Sequence, residues 1–229
     1  MVAFAAALAA CLGAPASAMH TAAPLPLRAD LPRSPVILDP GHGGVDLGAV
    51  VGGLSEKNIA LSVALKLRDR IKGGRPVAMT RDDDTFVSLD RRVVDSVDWN
   101  GAAFVSIHLN KVRDKKLAGT VVYSYGPERR RHRAQHPQVP PMPAPPGVDA
   151  KESADLAGVM VRTLRGDGFR ADKSKSDYYV LKNPAQPSIL IEIGYLSNPA
   201  EAARLNDPAY QDKLAGAMAK AIESYVAPD

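Results

Sequence analysis

Three side chains suited to holding a metal stand at points where strands end or a helix starts, and a fourth ionisable group lies inside a strand. His42 follows the run Val36-Ile37-Leu38-Asp39-Pro40-Gly41 and precedes Gly43 and Gly44, so its imidazole projects from a glycine-dense turn with little steric obstruction. Glu56 comes fourteen positions later and opens a helical pattern, from which its carboxylate can swing back over that turn. His108 closes a second apolar run, Ala102 to Ile107. Two histidines and one carboxylate on zinc leave a coordination position open, the arrangement of a catalytic site. Glu192 is conspicuous for a different reason: it lies inside Ser188-Ile189-Leu190-Ile191-Glu192-Ile193-Gly194, the most apolar strand of the chain. A carboxylate there must find a partner or accept a raised pKa, and one poised near neutrality suits a general base.

Taken singly, each residue has a plainer reading. His42 alone is a turn histidine, and Glu56 alone is a first-turn acid favoured by the helix dipole. Arg81 and Asn110 read as loop-holding hydrogen-bonders, and Asp39 and Ser106 as neighbours standing behind the ligands.

The elements that must position these groups alternate between strand and helix. Strands are expected at 36–39, 76–80, 102–107, 119–125, 178–181 and 188–194. After Ser55, Ile59, Val63, Leu67 and Ile71 recur every four residues and draw one apolar stripe that ends at Gly73-Gly74. Leu89, Val93, Val94 and Val97 give a second stripe, and Ala154, Leu156, Val159, Met160 and Leu164 a third. A short helix after Asn198-Pro199 and a long one through Leu214, Met218, Ile222 and Tyr225 complete the pattern. This alternation implies an α/β fold whose parallel or mixed sheet is covered on both faces.

The chain of 229 residues, 45% hydrophobic and 24% charged, suits one sizeable domain, placed here at 35–227. The net charge of +4 accords with an anionic partner such as a cell-wall polymer but does not require one. Residues 1–18 are small and apolar and end Ala16-Ser17-Ala18, the pattern of a signal-peptidase site, so export to the periplasm or cell envelope is expected. Leu8-Ala9-Ala10-Cys11 also resembles a lipobox, which makes a lipid anchor through Cys11 the less favoured alternative. Cys11 is the one cysteine, so cleavage after Ala18 would leave no thiol for disulfides or zinc. Residues 19–34, rich in proline, read as a linker.

One segment fits neither period. From Pro127 to Gly147 there are seven prolines and the cluster Arg129-Arg130-Arg131-His132-Arg133, so an insertion spanning 127–150 is expected as an exposed loop. His132 and His136 are set aside as ligands.

Five ordered segments together resemble the zinc-dependent N-acetylmuramoyl-L-alanine amidases, cell-wall hydrolases. They are 37–44, Ser55-Glu56-Lys57, Thr80-Arg81, Ser106-Ile107-His108-Leu109-Asn110 and Ile191-Glu192-Ile193-Gly194-Tyr195-Leu196-Ser197-Asn198-Pro199. The resemblance runs from about Val36 to Val226. It implies one zinc ion held by His42, Glu56 and His108, a catalytic Glu192, and a twisted six-stranded sheet in a three-layer αβα arrangement. It implies peptidoglycan as substrate, cut between the lactyl group of N-acetylmuramic acid and L-alanine, by a protein expected to be monomeric and to have no nucleic-acid partner. Some relatives carry, where 127–150 stands, a helical insertion that plugs the site until a partner protein removes it. The prolines here argue against a plug of that kind, so an activator acting through this loop is a hypothesis. The segment 94–101 departs from the family pattern.

Other readings compete. Ferrous oxygenases also use two histidines and a carboxylate, but usually with His and acid two apart on one strand. A catalytically inactive peptidoglycan-binding or regulatory module, or a zinc peptidase cutting within the stem peptide, would use a similar scaffold.

Overall fold

The computed structural model describes residues 34–71, 75–126, 147, 150–183 and 185–227. The leader-like residues 1–18 with Cys11, nearly all of the linker 19–34, Gly73-Gly74, His132, His136 and the bulk of the 127–150 insertion lie outside the described residues. No described helix is long and apolar enough to cross a membrane.

Six strands make one sheet in the order β4-β1-β5-β8-β6-β7. They are β1 (Val36–Pro40), β4 (Val77–Met79), β5 (Ala103–Asn110), β6 (Thr120–Tyr125), β7 (Ala171–Ser176) and β8 (Ser188–Tyr195). The pairs β1 with β4, β1 with β5 and β5 with β8 are parallel, β6 is antiparallel to β8, and β7 is parallel to β6. A small hairpin, β2 (Val50–Val51) and β3 (Leu54–Ser55), interrupts the loop before the first helix.

Strands β1 and β8 are buried along their whole length, which is why they read as continuous apolar runs. Side-chain alternation divides the core in two. Val36, Leu38, Val105, Ile107, Ile189 and Ile191 face a layer built from α1 (Glu56–Arg70), α3 (Ala150–Gly166) and α5 (Pro208–Val226). Ile37, Phe104, Tyr123 and Leu190 face the other way, toward Val180 and Leu181 and toward Val93 of α2 (Leu89–Asp98). Helix α1 buries Ile59, Val63 and Leu67, the expected stripe. Asn198 caps the short α4 (Pro199–Leu205), its side chain accepting from Ala200 and Glu201 amides.

Three local expectations are corrected. The stretch 178–181 is a 3-10 turn (Tyr179–Lys182), not a strand. The sixth strand is instead β7, whose sequence Ala-Asp-Lys-Ser-Lys-Ser hid it. It is an edge strand with exposed Lys173 and Lys175, charges that discourage pairing with another chain. Helix α2 is turned away from its apolar stripe: Leu89, Val94 and Val97 are 54%, 46% and 39% exposed, while Arg92, Asp95 and Ser96 are buried. The surface beneath α2 includes a carboxylate and backbone carbonyls, and only a polar face can satisfy them.

Candidate active site

Strands β1, β5 and β8 run the same way, so their carboxyl ends share one edge of the sheet. The connection after β1 passes over one face as α1, and that after β4 over the other as α2. The gap where connections diverge is where open α/β sheets bind ligands. His42 follows β1, Glu56 begins α1, His108 is near the end of β5 and Glu192 lies on β8.

The first three converge. One ligand atom from each of His42, Glu56 and His108 lies within 4.8 Å of the others. Glu56 Oε1 is 3.1 Å from His42 Nε2 and 2.9 Å from His108 Nδ1, and it also accepts from the Leu109 amide at 2.9 Å. Its second oxygen accepts from the Ala49 amide at 2.8 Å. Burial alone would push the Glu56 carboxyl upward, but the hydrogen bonds to His108 and His42 hold it well below the usual range. For His42, burial favours the neutral ring, and the bonds to Glu56 and Asp46 outweigh it and raise the pKa.

Two glycines make room for the cluster. A Cβ on Gly41 would stand 2.3 Å from His108 Cε1, and one on Gly48, whose φ is +63°, would stand 2.6 Å from both Glu56 Oε2 and His42 Cδ2. His42 itself adopts a φ of 60°. Its turn is clamped by two buried guanidiniums. Arg81 donates to the carbonyls of Pro40 at 2.9 Å and Gly41 at 2.7 Å, and Arg92 to those of Pro40 at 2.8 Å and His42 at 2.7 Å. Arg92 also pairs with fully buried Asp39 at 2.5 Å, and Asp39 accepts from Thr80 and Ser106 hydroxyls at 2.6 Å each. Burial would raise the Asp39 pKa, yet Arg92 and the two hydroxyls bring it below the ordinary value.

Glu192 completes the arrangement. Its Cα is in register with that of His108 across β5 and β8, so alternation puts both side chains on the same face. Only 7% exposed, it has one carboxylate oxygen without a partner among the described residues. Burial first, and the neighbouring Glu56 charge second, raise its pKa well above the usual carboxylate value. His42, Glu56, His108 and Glu192 line one cavity of about 550 Å³, whose further walls include Phe86, Leu89 and Tyr179.

All four candidate residues therefore meet in one site, and Arg81 holds loops as expected. Asp39 and Ser106 lie behind the His42 turn, hydrogen-bonded to each other. The Asn110 carbonyl accepts from the Leu196 amide at 2.8 Å, and its side-chain nitrogen has no partner among the described residues. Two contributors escaped the sequence reading. Arg92 could have been sought from Asp39, a charge inside an apolar strand that demanded a buried cation. Asp46 accepts at 2.8 Å from His42 Nδ1 and so leaves Nε2 facing the cluster; its sole sequence signal is lying four residues beyond the histidine.

Known proteins resemble this chain in sequence and in fold. The N-acetylmuramoyl-L-alanine amidase family profile matches residues 36–224. The germination-specific N-acetylmuramoyl-L-alanine amidase of Bacillus subtilis is 34% identical over 205 residues, spanning 83% of this chain and 78% of that one. Among solved structures, the amidase AmiC2 of Nostoc punctiforme superposes with a TM-score of 0.69 at 33% identity, covering 84% of this chain and 97% of that one. CwlD of Clostridioides difficile, solved in complex with the GerS lipoprotein, gives 0.71 at 30% identity over 86% and 100%.

Proposed function

We propose a mechanism from the premise that this chain belongs to the N-acetylmuramoyl-L-alanine amidase family. The reaction is hydrolysis of the amide joining the lactyl group of N-acetylmuramic acid to L-alanine of the stem peptide. The observation that carries the mechanism is the meeting of His42, Glu56, His108 and Glu192 in one cavity at the carboxyl edge of the sheet.

The donor set suits zinc: two imidazole nitrogens and one carboxylate oxygen, no thiolate, with Gly41 and Gly48 keeping the space clear. His42, Glu56 and His108 would hold the zinc ion, which would supply Lewis acidity for activating water and polarising the scissile carbonyl. Asp46 and the Arg92-held carbonyl fix the His42 ring, and the two backbone amides fix the Glu56 carboxylate. Glu192, whose carboxylate burial makes more basic than an ordinary glutamate, is placed to take the proton of the attacking water and to pass it to the departing alanine nitrogen.

Peptidoglycan lies outside the cytoplasmic membrane, and the leader-like residues 1–18 accord with export there. A protein partner has one external support, CwlD solved in complex with the GerS lipoprotein; that a partner acts as an activator through 127–150 is tested by deleting 127–147, and unchanged activity discards it. The reaction is tested by digesting purified sacculi and analysing the fragments by mass spectrometry. Stem peptides with a free L-alanine amino terminus and glycan with intact lactyl groups are expected. Cleavage between two amino acids of the stem refutes the reading and points to a peptidase.

A further inference from the structure

A second hollow of about 520 Å³ adjoins the metal-site cavity, bounded by Val50 and Leu54 of the hairpin, by Lys111 and Lys115, and by Leu196 and Ser197. Lys111 lines both spaces. From these residues we infer that the second hollow receives the free carboxylate of the stem peptide's second residue, an inference that rests on the amidase reading above.

The lysines are presented on a built frame. The Val112 amide donates to the buried Ser197 hydroxyl at 3.1 Å, Asn198 Nδ2 to the Leu117 carbonyl at 3.2 Å, and the Gly119 amide to Glu201 Oε1 at 2.8 Å. Asp114 closes the turn between, accepting from the Lys116 amide at 2.9 Å. The segment 111–119 is thus pinned to the turn that follows β8, a stretch that neither holds the metal nor moves a proton.

Charge selects the occupant. Lys111 and Lys115 are the lysines that line these two spaces, and neither meets a carboxylate among the described residues, unlike Lys57, which pairs with Asp84. The Lys111 ammonium donates to the Val50 carbonyl at 3.2 Å, a neutral partner. One cation shared by the two spaces and a second lining the hollow beyond it call for an anion on the substrate. The second residue of peptidoglycan stems is a γ-linked glutamyl unit whose α-carboxylate is either free or amidated. Reach agrees: Lys111 is three residues beyond His108, at most about 10 Å at 3.3 Å per residue. Two stem residues span about 7 Å at 3.5 Å each, and the lysine stem covers the difference.

The test uses the zinc-loaded full chain and two synthetic substrates with the glutamyl γ-carboxyl capped as its methylamide, one with the α-carboxylate free and one with it amidated: N-acetylmuramoyl-L-alanyl-D-glutamate γ-methylamide and its α-amide. Wild type should prefer the free acid, and the preference should narrow between about 0.01 and about 1 M salt, as the screening length falls from about 30 to about 3 Å. Lys111→Ala should raise KM for the acid up to about fivefold, and the variant carrying both Lys111→Ala and Lys115→Ala on the order of tenfold, with a clearly smaller rise for the amide. Equal losses on both substrates, or a wild-type preference indifferent to salt, overturn the assignment. Failure of wild type to release alanyl peptides from either substrate overturns the amidase reading, and the assignment with it.

Discussion

Replacing Arg92 by methionine tests whether the polar face of α2 is what holds the His42 turn. The substitution keeps much of the side chain's length and removes every donor: those to Asp39 Oδ1 at 2.5 Å, to the carbonyls of Pro40 and His42, and to that of Val87 at 3.1 Å. It leaves Asp39, fully buried, with the Thr80 and Ser106 hydroxyls alone. Breaking a buried ion pair by removing one partner costs roughly 3–5 kcal/mol, most of it the stranded charge. Adding Asp39→Asn should therefore recover at least about 1 kcal/mol. The sign of the pH dependence follows from the same groups. In wild type the folded pKa of Asp39 is depressed, so its contribution is present above the unfolded value and is lost as pH falls through the folded one. In Arg92→Met burial dominates and the folded pKa lies above the unfolded value. The ionised carboxylate then destabilises at neutral pH and is relieved as acid protonates it. The stability gap between the two proteins should be widest at about pH 7 and narrow toward about pH 4. Urea unfolding followed by circular dichroism measures it. Chelator competition should show zinc affinity lower by about 10- to 100-fold, because the His42 carbonyl has lost its anchor. A gap under about 1 kcal/mol at neutral pH, or one that does not change with pH, refutes the reasoning.

Glu192→Gln should keep its zinc, measured by elemental analysis, and lose about 10²- to 10⁴-fold in kcat; retained activity removes Glu192 from the mechanism. Asp46→Asn removes the carboxylate that orients His42 through Nδ1, and a 10- to 100-fold weaker zinc affinity by competition is expected. Gly41→Ala drives a methyl into the His108 ring, 2.3 Å from Cε1. It should yield a folded protein, by circular dichroism, that no longer retains stoichiometric zinc, and full zinc occupancy in that variant contradicts the geometry described.

The sequence determined by itself the apolar runs that become β1, β5 and β8, the stripe of α1, and the glycine turn that carries His42. These are local properties: a strand buried on both faces must be apolar throughout, and a charge such as Glu192 inside it announces that it has a use. Edge strand β7 was hidden because a half-solvated edge tolerates a polar sequence. The orientation of α2 was hidden because periodicity records which residues are apolar and not what they meet; its inward face answers to Asp39 and to the two turn carbonyls of Pro40 and His42, contributed by a strand and turn more than forty residues away. Only the tertiary structure decided that His42, Glu56 and His108 come within 4.8 Å of one another and that the backbone of Glu192 registers with that of His108. Such distances depend on strand order and register, which arise from packing among all the elements and are written in no single stretch of the chain.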